Sequence, residues 1–119
     1  MADYIYGKVS DYTKTNGWIT GSFFPTKELN HDNKVEIRVD YFDEDKSFSS
    51  HYHSKRKSWT IVLKGCMKLI INGNEINLRE GEFIIYEPGV TEELVSVDKG
   101  TIAVSIHSPS FKTPDKINI

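Results

Sequence analysis

The chain has 119 residues and a mass of 13.6 kDa, which leaves room for one compact domain and excludes a second core. Hydrophobic residues at 38% and charged residues at 27% exclude a wholly disordered chain, and a formal net charge of -2 excludes a global field that would draw nucleic acid or anionic lipid. Cys66 is the single cysteine, so an internal disulfide and a multi-thiolate zinc site are excluded; with no apolar run of about 18 residues and no secretory pattern in Met1 to Lys8, a cytoplasmic protein without membrane insertion is expected.

The elements read as strands and turns in chain order. Trp18 to Phe24, flanked by Gly17 and Gly21, suits a first strand or an edge extension, and polar Thr26 to Lys34 suits an exposed loop. Val35, Ile37, Val39 and Tyr41 alternate with Glu36, Arg38, Asp40 and Phe42, which predicts a strand with the first set toward the core and the second toward water. Ser58 to Leu63 alternates again, and the run resumes after Gly65 through Met67, Leu69 and Ile71. Asn72-Gly73 suits a type I′ turn, because both central residues need positive φ, so Glu75 to Leu78 should return antiparallel. Arg79 to Glu82 gives a turn into Phe83 to Tyr86, Pro88-Gly89 punctuates, and Glu92 to Val97 follows. Asp98-Lys99-Gly100 closes a last hairpin into Thr101 to His107, and the tail after Pro109 should wrap the surface or fray. Short strands at regular spacing with no convincing 3.6-residue period predict an all-β barrel or sandwich.

The residues that carry chemistry centre on His51-Tyr52-His53. In an extended chain residues two apart share a side, so both imidazoles can face one cavity and form half of a transition-metal site; the alternative is a pair of solvated loop histidines beside Ser49, Ser50 and Ser54. By the same alternation Tyr52 faces away from the histidines and Trp59 away from Ser58, toward packing between sheets. Ser58, Thr60 and Tyr86 are candidate polar lining, and His107 ends its strand where a barrel could bring it to the same pocket or leave it as a surface cap. Lys55-Arg56-Lys57 reads as a solvated basic loop or as a contact for a ligand's phosphate or carboxylate. Cys66 reads as a small core residue.

The spacing of these residues resembles the two motifs of the cupin superfamily, G-x5-H-x-H-x(3,4)-E-x6-G and G-x5-P-x-G-x2-H-x3-N. His51, His53 and Gly65 match the first, and Gly81 and Gly89 match the second; the resemblance covers about Phe48 to Ser96 and extends loosely through strand count. It implies a cupin-type antiparallel β-barrel (double-stranded β-helix or jelly roll), with a core at about 34–108, an N-terminal strand extension at 1–33 and a tail at 109–119. Several positions depart from the motifs. Asp45 replaces the first glycine, Ser58 stands where the family places a metal-binding glutamate, Glu87 where it places proline, and Ser96 where it places asparagine. Glu92 stands in place of the motif's third histidine.

The resemblance therefore implies a metal set of His51, His53 and Glu92, suited to Fe(II) and open to Zn(II), Mn(II) or Ni(II). A shift of the Val90-Thr91 loop by one residue would turn Glu93 inward in place of Glu92. Its functional implication is a small polar molecule bound in the barrel with a divalent ion, as an enzyme of isomerase or oxygenase type. The alternative is a metal-free, non-catalytic sugar-binding or sensory module, favoured by Ser58. A homodimer is expected through the apolar Trp18, Ile19, Phe23 and Phe24, and nucleic-acid and membrane partners are not.

Overall fold

A computed structural model describes residues 3–112 and 115–119. A 3-10 helix over Val9–Thr15 precedes ten strands: β1 (Trp18–Thr20), β2 (Glu36–Phe42), β3 (Phe48–His53), β4 (Lys57–Lys64), β5 (Cys66–Ile71), β6 (Asn74–Arg79), β7 (Phe83–Tyr86), β8 (Glu92–Val97), β9 (Thr101–Ser108) and β10 (Lys116–Asn118). One sheet has the order β1-β2-β9-β4-β7, the other β10-β3-β8-β5-β6, and every strand pairing is antiparallel. This is the all-β cupin-type jelly roll that the motif spacing implied. Among the described residues no helix is long and apolar enough to cross a membrane.

The turns follow from local chemistry. Asn72 and Gly73 adopt φ of 48° and 80°, the pair of positive values a type I′ turn requires, and β5 and β6 pair from Ile71↔Asn74 to Cys66↔Arg79. Gly65 is a tighter constraint. Its φ is 88°, and a Cβ placed there would collide with the side chain and Cα of the buried Thr101, whose hydroxyl accepts from the Cys66 N–H at 3.2 Å.

The inward rows of the strands change character along the barrel. At one end Val62, Met67, Leu69, Leu78, Leu94 and Val97 form a closed apolar core with Ile71 and Ala103. At the other end the same strands turn polar side chains inward: β4 runs from Val62 to Thr60 and Ser58, β8 from Leu94 to Glu92, and β2 from Phe42 to Asp40, Arg38 and Glu36. The expected orientation of β2 is thus reversed. Glu36 is 2% exposed while Tyr41 is 64% exposed, because this half of the barrel encloses a polar cavity and the charged face of β2 is the one that lines it. Period two gave the alternation; it did not give which side was inside.

Three further expectations change. Trp59 lies on the outer face of β4, with Lys57 Nζ 5.3 Å from its ring centroid, and does not pack between the sheets. Cys66 is half-buried beside the Gly65 turn, outside the apolar core. The tail supplies β10, which adds an edge strand to β3 in the register Lys116↔His53 and Asn118↔His51. The N-terminal aromatic segment is used within the chain: Trp18 and Phe23 meet edge to face at 5.7 Å on the cavity wall, and Phe24 is buried. Phe23 remains partly exposed, and a further group of exposed apolar side chains, Leu63, Phe83 and Ile85, lies on the outer face of the β4–β7 edge.

Gly65→Ala should lower stability by about 1–3 kcal/mol, since it adds both positive-φ strain and a clash with Thr101. Gly73→Ala, where no atom lies within 4 Å of the added methyl, should cost less. Urea unfolding midpoints of the two variants measure the difference.

Candidate metal centre

The site is assembled from one cross-strand row in each sheet, because directly paired residues point to the same face. In the first sheet the row is Glu36↔His107↔Ser58↔Tyr86, crossing β2, β9, β4 and β7. In the second sheet His51 of β3 pairs with Glu92 of β8, and His53 follows two residues along β3 on the same side. The two rows face each other across a cavity of about 500 Å³.

His51, His53 and Glu92 each offer a ligand atom, and the three atoms lie within 4.8 Å of one another in a buried cluster. Glu92 occupies the inward position and is 9% exposed, while Glu93 sits on the other side of β8 opposite Ile70. The register of β8 against β3 selects Glu92, since His51↔Glu92 is a direct pair.

The protonation pattern suits a cation. His51 Nδ1 lies 3.0 Å from the Ser49 carbonyl oxygen, to which a protonated Nδ1 donates, and its Nε2 faces the cavity. That nitrogen lies 3.3 Å from Glu92 Oε1. Burial pushes the Glu92 carboxyl up, but hydrogen bonds from His51 and Tyr86 and the nearby imidazoles bring it below its ordinary value, so it stands as a carboxylate. Two electron-pair donors facing each other at this distance repel unless a cation, either a proton or a metal ion, sits between them. The donor set therefore fits a divalent ion.

His53 is held neutral by burial first and by the Arg56 charge second, both of which lower its pKa. Its Nδ1 lies 3.1 Å from Asp115 Oδ1. Asp115 is fixed as a carboxylate: burial raises its pKa, but the backbone N–H of Lys55, the Arg56 charge and the His53 hydrogen bond outweigh it and hold the value at about 2. Arg56 Nη2 lies 3.1 Å from the same Nδ1, so Asp115 and Arg56 together hold the His53 ring from behind, the place where metal-binding histidines commonly find their supporting partners.

Arg56 ties the two sides together. It is 7% exposed, pairs with Glu36 of the first sheet, and donates from Nε to Asp115 Oδ1 at 2.6 Å beside the second. Arg56 is thus neither a solvated loop residue nor free for a ligand; its charge is consumed by two buried carboxylates. Glu36 also accepts from His107 Nδ1 at 2.8 Å and from the Ser110 hydroxyl at 2.8 Å. Burial raises the Glu36 pKa, but His107, Arg56 and Ser110 together bring it below the ordinary value.

The other candidate residues divide. Thr60, Tyr86 and His107 line the cavity, and the His107 ring stands 5.3 Å from that of His53. Ser58 is 1% exposed behind the cavity surface, and its Oγ has no hydrogen-bond partner among the described residues. Burial, reinforced by the Glu92 charge, pushes the Tyr86 phenol far above its usual value and keeps it protonated. Sequence reasoning missed Glu36, Arg56 and Asp115 as members of the site. The nearness of Arg56 to His53 in the chain was a signal; Asp115, 62 residues from His53, left none.

Replacing Glu36 by Gln should destabilise the protein by about 3 kcal/mol at neutral pH, because it leaves the buried Arg56 short of a partner. The lowered pKa means that the stability Glu36 contributes is present above its unfolded value of 4.5 and is lost as pH falls below it. Urea midpoints of Glu36→Gln and the parent protein should therefore converge on acidification below that value.

The sequence profile of the Cupin domain family matches residues 39–107. No curated protein matches the chain. A Klebsiella pneumoniae protein with a double-stranded β-helix domain superposes with a TM-score of 0.65 at 18% identity, covering 98% of this chain and 100% of that one. KdgF from Halomonas sp. gives a TM-score of 0.62 at 16% identity over 68% of this chain and 75% of its own. The DMSP lyase DddQ from Ruegeria pomeroyi gives 0.61 at 15% identity over 74% of this chain and 44% of its own. At these identities the likeness is one of fold.

Proposed function

Since the chain belongs to the cupin family, with the matched region spanning more than half its length, we propose that it holds a divalent transition-metal ion on His51, His53 and Glu92 and acts on a small molecule bound in the barrel. The observation that carries this reading is the pair of opposed donors, His51 Nε2 and Glu92 Oε1 at 3.3 Å, with a third ligand atom from His53 within 4.8 Å. Two histidines and one carboxylate suit Fe(II), with Zn(II), Mn(II) and Ni(II) as the other occupants. Such an ion supplies Lewis-acid polarisation of a substrate oxygen or, for iron, redox chemistry.

The chain's own groups have separate tasks. Ser49 holds the His51 ring, and Asp115 and Arg56 hold the His53 ring. The protonated Tyr86 phenol beside Glu92 keeps that carboxylate ionised and presents a donor at the cavity wall. Thr60 and His107 add polar contacts on the first sheet, while Phe42, Phe48 and Met67 close the apolar end of the cavity against water. Support for an enzyme comes from the fold relatives, among which the Ruegeria protein is a DMSP lyase.

A second reading is a metal-free, non-catalytic binding module. Ser58 favours it, since a small hydroxyl occupies the position where the family motif has a glutamate, and its buried Oγ is left for a ligand or water to satisfy. Metal content separates the two readings.

Elemental analysis of protein prepared without a His tag should find close to one transition-metal ion per chain. His53→Ala should abolish uptake and Glu93→Ala should leave it intact; a metal-free parent protein would reject the first reading and support the second. Asp115→Asn keeps the shape of the side chain but removes the carboxylate behind His53, and should weaken metal affinity by about 10- to 100-fold in a chelator competition.

A further inference from the structure

We propose that the cavity takes a small organic anion with an apolar body, a carboxylate or a phosphate monoester, whose charged end is met by Lys46, Lys112 and Lys116. The proposal deepens the metal reading and rests on it for the charge balance of the inner site.

Four carboxylates belong to that inner site, those of Glu36, Asp40, Glu92 and Asp115, and two cationic side chains sit among them, Arg38 and Arg56. Arg38 is committed: its Nε lies 2.8 Å from Asp40 Oδ1 and 2.8 Å from the Asn16 carbonyl oxygen, with the guanidinium over the Trp18 ring. Arg56 is committed to Glu36 and Asp115. The inner site is therefore two positive charges short of neutrality, which one divalent ion supplies.

The lysines lie outside that balance. Lys46 in the β2–β3 connection, Lys112 after β9 and Lys116 on β10 come from three separate segments, yet all line the same cavity. The pairing Lys116↔His53 places Lys116 on the same face of its sheet as the metal-binding histidine. Among the described residues none of the three forms an ion pair, although Lys46 is close enough to Asp40 to lower its pKa through space. A chain with a net charge of -2 thus places three lysines without an ion pair among the described residues on the wall of one cavity. Such a cluster raises the local concentration of anions and orients them.

Aromatic side chains line the same cavity: Trp18, Phe23 and Phe111, and, toward the apolar core, Phe42 and Phe48. Rings of this kind take the apolar body of a ligand, and the cavity of about 500 Å³ admits a molecule of one or two rings. A free sugar can stack on aromatic rings but carries no charge for the lysines to meet.

The test is calorimetric titration of the full chain with benzoate, phenyl phosphate and benzamide, in metal-loaded protein and after EDTA. The same titrations are run on Lys46→Gln/Lys112→Gln/Lys116→Gln, whose bound metal is measured in parallel. The expected result is that at least one of the two anions binds, that benzamide binds at least about tenfold more weakly, and that the triple variant loses about tenfold or more in anion affinity while retaining its metal. Which of benzoate and phenyl phosphate binds more tightly identifies the charged group. Equal affinity for benzamide, undiminished anion binding in the triple variant, or no binding of either anion overturns the proposal. Anion binding that disappears with EDTA and survives the lysine substitutions also overturns it, since the ion and not the lysines would then be the receptor. Lysine-dependent anion binding in a parent protein that holds no metal would sustain the anion site and reject the metal reading, whereas bound metal without anion binding would do the reverse.

Discussion

The guanidinium of Arg56 is the point on which the site depends. A cation buried at 7% exposure persists only if its charge is matched, and here two carboxylates from different sheets do so: Glu36 on β2 and Asp115 beside β10. Each carboxylate then passes the constraint on, Asp115 to the His53 imidazole and Glu36 to His107 and Ser110. The network ties the two sheets together and positions a candidate ligand with one set of hydrogen bonds. Its weight is in geometry more than in stability, since well-packed apolar groups of equal volume can stabilise a fold as well as buried ion pairs do.

The barrel carries the division of labour along its axis. One end is filled by leucine, valine and isoleucine in close packing, and the same strands bring polar residues inward at the other end. The apolar end supplies a packed core that offsets the burial of the charged side chains lining the rest of the cavity. Antiparallel register makes the arrangement reproducible: Glu36, His107, Ser58 and Tyr86 lie side by side because β2, β9, β4 and β7 pair in that order. A one-residue slip of any of these strands would turn its member of the row to the outer face.

The buried Ser58 hydroxyl is the one place in this row where polar satisfaction fails among the described residues. A glutamate at that position would have carried a negative charge beside Tyr86 on the neighbouring strand β7. With serine there, the carboxylate role falls to Glu92 alone, and the space left by the shorter side chain adjoins Tyr86 and His107, its two cross-strand partners. Family membership thus fixes the barrel while the donor set differs from the family motif. Function has to be argued from the residues present.

The sequence by itself determined the strand pattern, the Asn72-Gly73 hairpin and the spacing of His51 and His53, because alternation and turn chemistry act between near neighbours in the chain. It also carried the glycine register that brought Glu92 forward as a candidate ligand. Only the tertiary structure decided which face of β2 was inside, since period two is symmetric between faces and the polar cavity reversed the usual rule. It alone brought Asp115 to His53, because a contact across 62 residues leaves no periodic trace. It also turned Lys55-Arg56-Lys57 from a basic run into one buried arginine flanked by two lysines left outside the network, since burial depends on the partners that the other strands supply.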